Sequence, residues 1–399
     1  MKPGLKEREH RFLMQTYRRA EVEFVRGEGA LLFDEQGREY IDLLSGISVT
    51  SLGQCAPAVV EAVAVQSREL FHVSNLFYTE PMVDLAERLS RRSIGGPVFF
   101  CNSGAEANEC AIKVARRHAH GRGIEDPQII VFEGDFHGRT YGALSATPGL
   151  AASPALGPMM PGFTAVPFDN PIALEQAFSA ETAAIMMEPI QGEAGVFPVS
   201  EETLSTARRL CDESGALLVF DEVQAGVGRT GSLWAYEQTA VRPDVLTTAK
   251  ALGGGVAIAA CVNSESLGQV LEPGDHGSTF AAGPVAASAA NAVLEAVDDP
   301  DMLRRIRELG GSLAKELRQL EGVAGVRGRG LMIGVGLEEG LDARELNASL
   351  LERGFIANAP RPDTLRLLPP FVLSDEQGKR AVEAIGAVLS GLVGEAGRG

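Results

Sequence analysis

The sequence predicts an α/β protein: a mainly parallel sheet covered by helices on both faces, joined to a second, smaller α+β unit. Three observations carry this expectation. Between residues 97 and 263 short apolar, β-rich runs alternate with helix-like stretches, the order that builds parallel strands linked by crossover helices. After residue 300 the texture changes to long charged helices around a glycine-rich strand candidate. The length of 399 residues, with 45% apolar side chains, 46 glycines and 21 prolines, gives room for two cores and many turns.

Taken in order, the first 55 residues hold GEGALLFDEQGREYIDLL, a hairpin pattern around Gly37 without helix alternation. This segment is expected to pack with the C-terminal unit. Strand candidates then fall at 97–102, 128–132, 183–187, 216–220 and 245–249. A helix is expected over 103–118, and another over 201–214 with Ser200 as N-cap and Gly215 just past its end. Residues 279–297 form the most apolar later stretch, but Gly283-Pro284, Ser288, Asn291 and Glu295 interrupt it, so it reads as a buried helix of small residues and not a membrane span. Helices over 301–320 and 342–353 flank a strand candidate at 323–337, and Ser374-Asp-Glu-Gln377 spells a capping box for the last helix. The expected limits are 1–55 for the N-terminal segment, 56–290 for the large domain and 291–399 for the small one.

Charge and cysteine usage narrow the class. A net charge of −17 opposes nucleic acid and anionic lipid as partners. The first residues alternate charges with single apolar side chains, unlike a secretion signal. Five cysteines, an odd number without metal-ligand spacing, read as reduced thiols of a cytoplasmic protein, and no metal site is expected.

Six lysines stand against thirty arginines, and five of the six (Lys2, Lys6, Lys113, Lys315, Lys379) have charged neighbours. Lys250 alone lies in an uncharged run, TTAKALGGG, at the end of a strand candidate. Burial there would lower its pKa and free a nucleophilic amine; a lysine snorkelling from a strand end is the bland alternative. In ALLVFDEVQ an apolar strand ends on Asp221 and Glu222, and strand periodicity puts Asp221 and Val223 on one side. That side offers a carboxylate to a pyridinium nitrogen and an apolar surface to its ring, although an acidic pair of this kind also binds Mg²⁺ or caps helices.

PVFFCNSGAEANECAIK reads as strand, tight turn and helix, with Ser103 and Glu106 spelling a capping box and Gly104 allowing close backbone approach. The helix N-terminus is a ready phosphate site, outside any Walker or Rossmann glycine pattern. In FEGDFHGRTYG, Phe136 can cover an aromatic ring and Arg139 can pair with a carboxylate. Gly277-Ser-Thr-Phe280 supplies hydroxyl donors, and Arg366 sits inside the apolar run TLRLLPP with Glu193 of EPIQGEAGV as a candidate partner.

Together these segments resemble the class III (ω-amino acid) aminotransferases of fold type I, and among them most closely the acetylornithine branch. The resemblance runs through YIDLLSGISVTSLG, SNLFYTEPM, FFCNSGAEANECAIK, FHGRTYGALSAT, EPIQGE, VFDEVQAGVGRTG, TTAKALGGG, HGSTF and LRLLPP. It implies a large domain with a seven-stranded sheet, a small domain drawn from both termini, and pyridoxal 5′-phosphate (PLP) carried by Lys250 as a Schiff base. By the same resemblance Asp221 keeps the pyridinium protonated, Val223 and Phe136 cover the two ring faces and Gln224 reaches the ring hydroxyl. Ser103, Gly104 and Ala105 take the phosphate, together with Thr279 of a neighbouring subunit in a homodimer whose sites are shared across the interface. Arg139 and Ser278 would receive the donor's α-carboxylate, and Arg366 the carboxylate of 2-oxoglutarate once Glu193 releases it.

The implied reaction transfers the terminal amino group of N²-acetylornithine to 2-oxoglutarate, a step of arginine biosynthesis. Succinylornithine, succinyl-diaminopimelate, carrier-linked lysine, ornithine and GABA are alternative donors, and a PLP aminomutase is an alternative from another class. This chain departs from the family pattern at Gln54-Cys-Ala56, where GHxHP loses both histidines, at Ala194 beside Glu193, and at Ala281-Ala-Gly283.

Overall fold

The computed structural model describes residues 4–149 and 154–396; Lys2 and the outer ends of the expected terminal segments lie outside them. Seven strands form the main sheet, in the order Gly95–Cys101, Ala259–Ser264, Val245–Thr248, Leu217–Asp221, Thr182–Met187, Gln128–Phe132, Phe163–Val166. Six run in one direction. Only Ala259–Ser264 opposes its two neighbours. The strands read as continuous apolar runs because both faces are covered, and alternate residues enter different cores. Ile130 and Phe132 pack with Ile185, Leu218 and Leu204, whereas Ile129 and Val131 pack with Met186, Val219 and the Ala111–Ala115 face of the Gly104–Gly121 helix.

The helix ends follow the sequence signals. Ser200 Oγ accepts the Thr203 N–H at 3.2 Å, and the Glu201–Ser214 helix closes on Gly215 at φ +76°. Ser374 and Gln377 form a reciprocal capping box, with bonds of 2.9 and 3.1 Å between side chain and backbone. The small-residue helix runs Pro284–Val297, so residues 279–283 precede it, because Gly283-Pro284 supplies an N-cap and a first-turn proline.

The expected single strand at 323–337 is a hairpin, Val323–Arg329 against Met332–Leu337. Its turn is at Gly330 (φ +53°), where a Cβ would meet the Thr230 carbonyl carbon at 2.5 Å; only glycine fits. Strands Thr364–Leu367 and Asn358–Arg361 complete this four-stranded sheet; the Pro300–Leu317 and Ala343–Glu352 helices pack on it, and the Asp375–Ala396 helix packs against both of them. The hairpin Leu31–Asp34/Glu39–Asp42 turns at Gly37 (φ +81°) with Phe24–Glu28 outside it. Its inner strand pairs in parallel with Phe355–Ile356, tying the N-terminal segment to the last hundred residues. No helix among the described residues is long and apolar enough to cross a membrane.

Candidate active site

The carboxyl ends of the parallel strands converge on a cavity of about 420 Å³. Ser103, Gly104, Ala105, Phe136, Arg139, Asp221, Val223, Gln224 and Lys250 all line it. Residues more than 100 positions apart thus meet because each follows a strand of one sheet, where such sheets bind ligands.

Lys250 stands just past Val245–Thr248 with φ +37°, a conformation side chains seldom adopt and one found where surrounding structure over-determines the backbone. Burial pushes its pKa below the usual lysine value; Glu193 opposes that shift and Arg366 adds to it. The amine therefore loses its proton more readily than a surface lysine does.

Asp221 ends its strand 3% exposed. Its Oδ1 accepts the Val223 N–H at 2.9 Å, while Oδ2 accepts from Asn108 Nδ2 at 2.7 Å and faces His137 Nδ1 at 2.7 Å. Asn108 is fixed in turn, bridging to the His137 carbonyl at 2.7 Å and accepting from Thr247 Oγ1 at 2.7 Å. On the other side of His137, Nε2 lies 3.5 Å from Asp135 Oδ2 without a hydrogen bond. Burial alone would lower the His137 pKa, but Asp135 and Asp221 outweigh it and raise it to about 10. An imidazolium is thus clamped between two buried carboxylates. Glu188, which also lines the cavity, is pushed well above the usual carboxylate range by burial and then by the Asp135 and Asp221 charges.

Glu222 separates from its neighbour. It accepts the Ala235 and Tyr236 N–H groups at 2.6 and 2.8 Å, and burial raises its pKa to about 8. The acidic pair divides between the cavity and a structural cap.

At the phosphate-type turn, Ser103 Oγ accepts the Glu106 N–H at 3.3 Å, and Glu106 returns a bond to Asn102 N at 2.9 Å, one residue earlier than the spelled box requires. The N–H groups of Gly104 and Ala105 point out of the helix start without a protein acceptor among the described residues. Gly104 is required by packing as well: a Cβ there would meet Val223 Cγ1 at 2.7 Å. Phe136 borders the same space, with the Arg139 guanidinium 5.2 Å from its ring centre. Arg139 is exposed and has no carboxylate partner among the described residues.

Four other candidates lie outside the cavity lining. Arg366 is fully buried, and its NH1 and NH2 face Glu193 Oε1 at 2.7 Å and Oε2 at 3.4 Å. Its Nε donates to Asn358 Oδ1 at 2.9 Å. Burial opposes ionisation of Glu193, yet Arg366 holds its pKa below the usual carboxylate value. Gln224 spends its amide on this pair, giving Nε2 to Glu193 at 3.2 Å and accepting from Arg366 at 3.1 Å. Ser278 Oγ accepts from Asn102 Nδ2 at 3.1 Å, beside the turn, and Thr279 is exposed.

The departures from the family pattern are structural joints. Gln54 bonds Asp42 and Thr50, each at 3.2 Å, and Ala194 Cβ lies 3.2 Å from where a Cβ on Gly134 would stand. Ala282 takes φ +43° just before the Pro284–Val297 helix.

His137, Asn108 and Glu188 also line the cavity and Asp135 stands behind His137; none of the four is singled out by the sequence patterns. A signal was present for His137, which stands in the same strand-end loop as Phe136 and Arg139. Asn108 gave none, since nothing marks which residue of a helix's second turn reaches across to another strand.

A desolvated lysine and a histidine-clamped aspartate, with a helix N-terminus alongside, line one cavity of this α/β protein, an arrangement suited to an amine nucleophile and an anion-bearing organic group. The chain belongs to the aminotransferase class-III family, whose model matches residues 14–389. An acetylornithine aminotransferase of Caldanaerobacter subterraneus is 42% identical over 389 residues, covering 96% of this chain and 98% of that protein. One from Methanocaldococcus jannaschii is also 42% identical, covering 96% and 97%. Among solved structures, ornithine aminotransferase of Toxoplasma gondii superposes with a TM-score of 0.93 at 32% identity, covering 98% and 95%. N-acetylornithine aminotransferase of Stenotrophomonas maltophilia gives 0.83 at 35%, covering 98% and 100%.

Proposed function

We propose that this enzyme transfers the terminal amino group of N²-acetylornithine to 2-oxoglutarate with PLP bound in the 420 Å³ cavity. The relatives named above support the donor, and one observation carries the reading: two arginines of opposite state serve one amine. Arg139 is free at the cavity, while Arg366 is buried and neutralised by Glu193. A donor reacting through its terminal amine keeps its α-carboxylate far from Lys250, within the province of Arg139 and Ser278. An acceptor reacting at its α-carbon needs a carboxylate held close by, which Arg366 supplies once Glu193 swings away.

The residues present fit PLP. Gly104, whose missing Cβ leaves the space against Val223 open, and the free N–H groups of the turn suit a phosphate. Asp221 retains acceptor capacity on Oδ1 toward a ring N–H. When bound, the cofactor supplies the electron sink for carbanion chemistry. Lys250 Nζ, its pKa lowered by burial, takes the proton from the substrate carbon and returns it. Asp221 holds a proton on the ring nitrogen, Val223 and Phe136 keep water from the ring faces, and Gln224 orients the Arg366–Glu193 pair or the ring hydroxyl as the pair opens.

With a division at 1–55, 56–290 and 291–399, the cavity takes its lining from the large domain apart from Val49 of the N-terminal segment, and the gripping arginine, Arg366, belongs to the small domain. A homodimer is supported by exposed Phe71, Leu76, Phe77, Tyr78 and Phe280, on two segments joined by the Asn75 Nδ2 bond to the Ser278 carbonyl, next to exposed Thr279; Tyr78 is 98% and Phe280 68% exposed. Five free cysteines suit a cytoplasmic enzyme. The decisive experiment titrates the holoenzyme with N²-acetylornithine, ornithine, succinylornithine and GABA, following the cofactor's visible band, then restores it with 2-oxo acids. Conversion fastest with N²-acetylornithine and reversal by 2-oxoglutarate are expected; preference for ornithine would move the enzyme to the other named donor.

A further inference from the structure

We propose a second binding site, beyond the transamination reading and independent of it: the groove between the Pro300–Leu317 helix and the Val323–Gly330 edge binds a small multivalent anion, phosphate-bearing or polycarboxylate. Positions 307, 311, 314 and 318 share one helix stripe, so Arg307 and Arg318 stand at the two ends of a groove about 16 Å long floored by Gly311 and Ala314. Arg329 faces them from the strand. The cavity measures about 320 Å³, within the size range of small-ligand sites.

Its floor is backbone. A Cβ on Gly310 would lie 1.9 Å from the Gly330 carbonyl oxygen, and one on Gly330 would lie 2.5 Å from the Thr230 carbonyl carbon. Three chain segments therefore meet backbone to backbone, with Gly310, Gly311, Gly328 and Gly330 along the lining between the arginines.

The charge is out of keeping with the rest of the molecule. The chain carries 53 acidic against 36 basic side chains, yet among the described residues no Asp or Glu lines this groove. Among the described residues none of Arg307, Arg318 or Arg329 has a carboxylate within 4.0 Å. Arginines of the same helix that face elsewhere do: Arg304 pairs with Asp301 at 2.8 Å and Arg305 with Asp375 at 2.7 Å. Each groove arginine is instead steadied by one backbone carbonyl: Arg307 by Gly231, Arg318 by Val326 at 3.1 Å and Arg329 by Gln238 at 3.4 Å. A guanidinium has five N–H donors, so donors remain on all three. Arg327 also borders the groove, but it bonds Gly195 and Thr364 and takes no part.

The test uses holoenzyme, so that the cofactor's own phosphate site is filled, with inorganic pyrophosphate and citrate as calorimetric probes. One saturable site per chain is expected for at least one of them, weakening as salt rises. Each of R307Q, R318Q and R329Q should weaken it roughly 10-fold, the scale of one charge-assisted hydrogen bond. R304Q should leave binding unchanged, R329K should restore part of what R329Q loses, and transamination without the anion should be unaltered in all of them. Saturation by pyrophosphate alone assigns a phosphate-bearing ligand, and by citrate alone a polycarboxylate. Absence of saturable binding by both, or binding that the three glutamine variants leave intact, overturns the proposal.

Discussion

Replacing His137 with glutamine removes the one positive charge between Asp135 and Asp221, both of which stay buried. The His137 pKa rises from 6.5 in the unfolded chain to about 10 in the folded one, equivalent to about 5 kcal/mol of preferential stabilisation of the folded imidazolium. The folded value is the higher, so this stability is fully present below pH 6.5 and drains away as pH climbs through 10. Between pH 6 and pH 10 the advantage of the wild type over H137Q should shrink by about 4 kcal/mol. Urea unfolding of both cofactor-free proteins at pH 6, 8 and 10 measures this, at one protein concentration because self-association adds its own free energy. A difference between the two proteins that stays constant across this range would show that His137 is not charged between the carboxylates, and the reasoning would fail.

Arg366→Ala should slow the half-reaction with glutamate or 2-oxoglutarate by roughly 10²–10³-fold, the worth of a buried bidentate carboxylate contact, and the acetylornithine half-reaction far less; single-turnover kinetics of each half separates them, and equal losses would remove the Glu193 switch. Gly104→Ala places a methyl 2.7 Å from Val223 Cγ1, so equilibrium dialysis should show PLP affinity falling by about 1–3 kcal/mol, with unchanged affinity counting against a cofactor ring on Val223. Arg229 is fully buried and bonds the Leu331 and Pro369 carbonyls and the Ser48 and Ser51 hydroxyls. Lysine cannot reproduce that fork, and Arg229→Lys should cost about 2–4 kcal/mol in chemical unfolding.

What the sequence shows and what it hides divide along a physical line. Short continuous apolar runs and capping signals are local, so the strands at 128–132 and 183–187, Ser200 with Gly215, and the Ser374 box are legible from the residues themselves. The 323–337 run looks continuous because glycines do not interrupt a β pattern strongly; the turn at Gly330 is set by contact with Thr230, a hundred residues away. Edge and antiparallel strands such as Phe163–Val166 and Ala259–Ser264 lack the crossover rhythm that marks their neighbours. In the site, residues that strands or turns present directly, Lys250, Asp221 and Ser103, carried visible signals. Asn108, Asp135 and Glu188 act through side chains brought together only by the sheet, and the Glu193–Arg366 pair was legible because an arginine in an apolar run demands a partner.

Everything attributed to the cavity depends on Lys250 being the amine that carries the cofactor. Borohydride reduction of the holoenzyme, followed by proteolysis and mass spectrometry, fixes the cofactor to whichever amine held it. The pyridoxyl mass should appear on the peptide containing Lys250 and on no other; its appearance on Lys113, Lys315 or Lys379, or on no lysine at all, would contradict the account.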